Sequence, residues 1–209
     1  MHDPAYEELH QGHTIKIYHD PDAESPREWS NLGTLICWHR RYRLGDSHPF
    51  NSPEAFLRDL AGVSDQSDLS MDQLRERADR KAILLPVFLY DHSGLAMNTI
   101  GFHCPWDSGQ VGYAYVLLEA VRQEFDVKRV TKALREKAED ILRGEIVSYD
   151  AYLDGRVYGY VIEQDGEEVD ACWGLVGDYE LDCLPEARRA VPDHEPKQST
   201  NSDMAQARP

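Results

Sequence analysis

The chain of 209 residues lacks most of the features that would assign it quickly. No apolar run approaches the roughly 20 residues that a membrane-spanning helix needs. The opening stretch, MHDPAYEELHQG, is acidic and polar, without the basic and apolar regions of a signal peptide, so none is expected. Cysteine is sparse: Cys37, Cys104, Cys172 and Cys183 are far apart and form no CxxC pair. Free thiols in a cytoplasmic protein are therefore expected, rather than a disulfide frame or a zinc knuckle. Cys37, His39, His92, His103 and Cys104 are zinc-type residues, but Cys-x-His and adjacent His-Cys are poor ligand spacings. The stretch DGEEVD lacks the ligand order of an EF-hand. Gly155, Gly159 and Gly166 are spread through an apparent hairpin and make no phosphate-cradling loop. A nucleophile elbow of the GxSxG type is missing too. No metal and no cofactor is expected.

Positive charge is also scarce. Lys and Arg number 22 against 38 Asp and Glu, a net charge of −16. The acidity is concentrated. Glu145 to Glu186 holds twelve carboxylates against Arg156 alone, a net of −11, whereas Asp193 to Pro209 carries only −1. Like charge repels phosphate, so direct contact with nucleic acid is not expected. A basic protein, including one that itself binds nucleic acid, is the partner such a surface suits. Glu163, Glu167, Glu168, Asp170, Asp178 and Glu180 are the candidate partner-binding residues. The plainer reading is an acidic face that only keeps the protein in solution.

What is present reads as strands and helices in mixed order. Thr14–Tyr18 and Leu35–His39 read as strands, separated by a loop rich in Pro, Asp and Ser. Ser52-Pro53 starts a helix that should stop at Gly62. Ser70 and Gln73 form a capping box for a second helix, to about Arg80. Ile83–Tyr90 is the most apolar stretch and reads as a buried strand, with Pro86 requiring an edge position or a bulge. Val111–Val116 is a strand, followed by helices over 117–125 and 130–144, the second stopped by Gly144, and by a short helical turn at 148–155. Val157–Glu163, a turn at Asp165-Gly166, and the following EVDACWGLVG make a hairpin, and PEARRAV a last short helix. Tyr113, Tyr115, Tyr158, Tyr160 and Trp173 alternate in these strands as sheet packing; a base-stacking platform is the sharper alternative. This order predicts one α+β domain over 1–192, a largely antiparallel sheet packed by several helices, and a disordered tail over 193–209.

Two turns concentrate reactive residue types. Tyr90-Asp91-His92-Ser93-Gly94 leaves the most buried strand, and Cys104-Pro105-Trp106-Asp107-Ser108-Gly109-Gln110 enters the next. If those strands are neighbours, Asp91, His92, Asp107, Ser108 and Gln110 share one corner, with His39, Arg40, Arg41 and Arg43 near it if their strand joins the same end. As catalysts, His92 would be a general base oriented by an Asp, with Ser93, Ser108 or Cys104 as nucleophile. As shape, Asp91 and Asp107 would cap turns while Gly94 and Gly109 supply positive φ.

The strings PREWSNLGTLICWHRRYRLGD, LLPVFLYDHSGLAMNT and CPWDSGQVGYAYV resemble a family of uncharacterised proteins encoded by bacteriophages and other mobile elements. The resemblance runs over about residues 14 to 175; YDHSG and CPWDSGQVG are its most specific parts. It implies a small accessory protein in the cytoplasm of a bacterial host, and implies no activity, cofactor or catalytic residue. The function expected is an acidic accessory protein that binds and modulates or inhibits a host protein, as an anti-defence inhibitor that mimics nucleic acid. The alternative is a small hydrolase or nucleotide-acting enzyme with its site at the 91–93 and 107–110 turns. A structural or homo-oligomeric protein is the blandest reading.

Overall fold

Alternating apolar residues along the β-forming stretches gather into two separate antiparallel sheets. The structure, a computed structural model, describes residues 3–64 and 66–192. The elements are β1 (Tyr6–His10), β2 (His13–His19), a 3-10 turn (Pro26–Glu28), β3 (Thr34–Cys37), α1 (Pro53–Ala61), α2 (Met71–Ala78), β4 (Ala82–Asp91), β5 (Leu95–Asn98), β6 (Ser108–Leu117), α3 (Leu118–Glu124), α4 (Lys132–Leu153), β7 (Val157–Gln164), β8 (Glu167–Val176), a π-helical turn (Tyr179–Cys183) and α5 (Leu184–Ala190). The first sheet has the order β1-β2-β7-β8 and the second β3-β6-β4-β5. The α+β class holds, with the expected antiparallel sheet divided in two. The tail over 193–209 lies outside the described residues.

The second sheet is covered on both faces. Leu35, Leu85, Ala114 and Val116 pack with Ala138, Leu142, Ile146 and Tyr149 of α4 on one side. Their chain neighbours Ile36, Leu84 and Tyr113 pack with Phe56, Leu57 and Leu60 of α1 and Leu74 and Ala78 of α2 on the other. A strand buried on both faces needs no polar face, which is why ILLPVFLY is continuously apolar. The first sheet is covered on one face only. Ile15, Ile17, Tyr160 and Ile162 pack under Leu184, Ala187 and Val191. Between them along β2, Lys16 and Tyr18 stay half-buried on the other face.

Local chemistry explains several boundaries. The Ala55 N–H donates to Ser52 Oγ, and Gly62 closes α1 at φ 70. Ser70 and Gln73 make both bonds of the capping box. Pro86 sits where β4 pairs with β6 alone, since β5 covers only Phe88 to Asp91, and the register shifts between Val87 and Phe88. An open side and an adjacent bulge suit a residue with no N–H to donate.

Gly144 does not stop α4, which runs 22 residues and absorbs the short turn expected at 148–155. Beyond the glycine, Ile146 and Tyr149 are 2% and 5% exposed. Burying two such side chains is worth about 3–6 kcal/mol, more than the ~1 kcal/mol that a mid-helix glycine costs. β1 was not expected from its acidic YEELH. It forms because Gln11 and Gly12, both at positive φ (48 and 82), turn it back onto β2. β5 has only four residues and no clear pattern of its own.

One buried ionic cluster ties the loops to α4. Arg27, 6% exposed in its side chain, donates to Asp46 through Nε (3.0 Å) and Nη2 (2.8 Å), to Glu145 through Nη1 (3.2 Å) and to the Gly33 carbonyl (2.8 Å). Glu145 accepts the Leu32 and Gly33 N–H groups, and Asp46 accepts that of Leu35. Arg27, Gly33 and Asp46 all belong to the strings PREWSNLG and RLGD, so those strings do architectural work.

Candidate functional site

The two polar turns do meet. Because β4 and β6 are neighbours, Tyr90 lies opposite Ser108. The Asp91 N–H donates to the Asp107 carbonyl at 2.8 Å, locking the turns side by side. β3 reaches the same end, where the Trp38 N–H donates to the Val111 carbonyl at 2.8 Å. That delivers His39, Arg40 and Arg41 to the corner.

The carboxylates here are engaged. Asp91 accepts from the Arg41 guanidinium and, at 3.3 Å, from the Tyr42 hydroxyl. Asp107 Oδ2 stands 3.3 Å from His92 Nδ1 and accepts the Cys104 thiol at 3.6 Å. The hydroxyls are spent as well. Ser108 donates to the Cys104 carbonyl, and Ser93 to the His92 carbonyl at 2.7 Å. Gln110 faces along its own strand and donates to the Gly112 carbonyl at 3.2 Å.

So Asp91, His92, Asp107 and Ser108 are assembled, and Gln110 does not join them. None of Ser93, Ser108 or Cys104 donates to His92, so the contact that a nucleophile and base require is not made. The positive φ of the first turn falls on Ser93 (φ 54), and neither Gly94 nor Gly109 has one, which corrects the expectation for both glycines.

A cleft of about 430 Å3 opens beside this corner, with His39, Arg40 and Arg41 on one wall, Trp106 and Ser108 on the other, and Leu89 and Val111 beneath. His92 is not among its lining residues.

The acidic residues separate into two groups. Glu145 lies in the Arg27 cluster, while Asp150 accepts the Met97 N–H and pairs with Arg156. Among the six residues expected to bind a partner, Glu163 pairs with Lys16 at 2.7 Å. Asp178 caps the π-helical turn by accepting the Glu180 and Leu181 N–H groups, and Glu180 accepts the Tyr179 hydroxyl. Glu167, Glu168 and Asp170 are exposed on β8, and none forms an ion pair among the described residues.

β8 is one of the two outer strands of its sheet. Near its middle, Trp173 is 49% exposed, lies over Gly159 and stacks on Tyr18 with ring centroids 6.2 Å apart. A Cβ on Gly159 would meet the indole at 2.2 Å, so the missing side chain makes room for the ring. Of the five alternating aromatics, Tyr113, Tyr158 and Tyr160 are buried as sheet packing, Tyr115 is half-buried, and Trp173 is exposed. The alternation alone predicts core or half-buried sheet packing for Trp173, and the structure places it at the half-exposed end of that range.

Among the described residues, no three His, Cys, Asp or Glu side chains are placed to hold a metal, and no helix is long and apolar enough to cross a membrane. Comparison with protein-family models, with curated proteins and with solved structures yields no match.

Proposed function

We propose that this protein is an accessory factor that binds a host protein through β8 and blocks a surface that otherwise holds nucleic acid. The observation that carries the reading is the composition of that outer strand. Glu167, Glu168 and Asp170 are exposed, without ion-pair partners among the described residues, on the same strand as the half-exposed Trp173. An edge strand that exposes both an aromatic anchor and acidic residues suits a protein interface, and its sign selects a basic partner. The resemblance to proteins of phages and mobile elements supports a bacterial cytoplasmic setting and an anti-defence role. The enzyme alternative is not favoured, because no nucleophile reaches His92.

The test is capture from bacterial lysate followed by competition. The expected result is retention of a nucleic-acid-binding protein that its own nucleic acid displaces, and loss of retention with Glu167→Lys, Glu168→Lys and Asp170→Lys combined. Retention that ignores both the competitor and the triple substitution refutes the reading.

A further inference from the structure

The cleft between the His39–Arg41 loop and the Trp106–Ser108 turn lies on the second sheet, away from β8, and stands apart from the proposal above. Its polar groups can be accounted for one at a time. Asp91 is engaged by Arg41 and Tyr42, and Asp107 is contacted through Oδ2 by His92 and the Cys104 thiol. The Ser108 proton is committed to the Cys104 carbonyl.

On the His39–Arg41 wall the unspent groups are donors. Arg40 is exposed and has no ion-pair partner among the described residues. His39 accepts the Arg41 and Tyr42 N–H groups at Nδ1 (3.4 and 3.2 Å), which leaves the proton of the neutral ring on Nε2, the nitrogen with no partner among the described residues. That ring is also held by stacking on Tyr42, at 5.0 Å and 5°.

The rest of the cleft is apolar or open. Leu89 and Val111 form the floor, and a side chain at Gly109 would meet nothing within 4 Å. Trp106 is 90% exposed at the rim, so an indole face is free to stack. A volume of about 430 Å3 suits a small organic molecule.

Donors without acceptors select an anion, and an uncovered indole selects a flat ring. We propose that this cleft binds a small, flat-ringed organic anion, its phosphate or carboxylate held by Arg40 and His39 and its ring stacked on Trp106. The cleft is lined by Arg40 and Arg41 together with Asp91 and Asp107, and because Arg41 pairs with Asp91, Arg40 is the cation it leaves for an anion on a chain of net charge −16.

The protein has four tryptophans, whose indole N–H signals can be followed by NMR during titration with adenosine monophosphate, nicotinate, adenosine and inorganic phosphate. The expected result is a saturable shift confined to the Trp106 signal with adenosine monophosphate or nicotinate, the tighter of the two identifying phosphate or carboxylate as the preferred group. Arg40→Ala should weaken that ligand by about tenfold. Adenosine binding should be unchanged in the same variant. Arg40 is exposed, so the variant should fold, and unshifted signals of the other three tryptophans verify this. Any of three results overturns the proposal: no saturable shift with either anion at millimolar concentration, adenosine binding as tightly as its monophosphate, or a single-stranded oligonucleotide binding more tightly than the mononucleotide.

Discussion

Arg27 is the residue on which the loops depend. Its guanidinium neutralises two carboxylates away from water and fills the acceptor of Gly33. Arg27→Ala would leave Asp46 and Glu145 uncompensated, and should cost about 3–5 kcal/mol in denaturant unfolding. Arg27→Lys should also destabilise, because an ammonium cannot reproduce the two-pronged bond to Asp46. An unchanged midpoint in both would show that the cluster contributes nothing net. The cysteines divide just as clearly. Burial pushes the thiols of Cys37 and Cys183 up to about 12. The thiolate is the reactive form, so an aromatic disulfide reagent at pH 8 should label Cys104 and Cys172 first, and Cys37 and Cys183 only on unfolding. The sign for stability follows from the same shifts. The folded state keeps these protons to higher pH than the unfolded chain does, so the thiols should lower stability as pH rises above about 8.5. Cysteine spacing showed that no paired motif exists. Which thiols are buried depends on strand and helix partners that spacing does not reveal.

At the level of elements, α4 shows how packing overrides a local stop. Gly144 lies inside the helix, and a methyl group there would meet nothing within 4 Å. Gly144→Ala should therefore stabilise the protein by about 0.5–1 kcal/mol, read as a rise in Tm. A fall in Tm would mean that the helix is interrupted there after all. The short α5 is fastened to β1 by Arg188, whose guanidinium donates twice to Glu8 at 2.7 Å. Hydrogen bonding from Arg188 holds the Glu8 carboxyl below its usual range. A carboxylate lowered in the folded state contributes stability above its unfolded pKa of about 4.3 and loses that contribution as pH falls through the folded value. Wild type should thus lose more stability than Glu8→Gln between neutral pH and acid, and parallel curves would show that the pair is inert. Capping residues made α1 and α2 legible, because Ser52, Gly62, Ser70 and Gln73 act on their own backbone. β1 was not legible, because its strand conformation comes from pairing with β2.

At the level of the whole molecule, the net charge conceals a division of labour. Glu145 is structural, and Glu145→Ala should cost about 3 kcal/mol through stranded N–H groups and an unbalanced Arg27. Glu167→Gln, Glu168→Gln and Asp170→Asn together should leave stability within about 0.5 kcal/mol, as expected for exposed groups without ion-pair partners among the described residues. Equal losses in the two variants, compared by denaturant titration, would erase that division. Length, charge, residue periodicity and caps were enough to establish the α+β class and most element positions, since each acts through neighbours along the chain. They also located the two polar turns, because Gly, Pro, Asp and Ser punctuate the backbone locally. Three matters lay beyond their reach: the split into two sheets, the burial of Glu145 against Arg27, and the cleft between His39 and Trp106. Each depends on which distant segments become neighbours, and that is set by how the apolar faces of the strands and α4 are buried together.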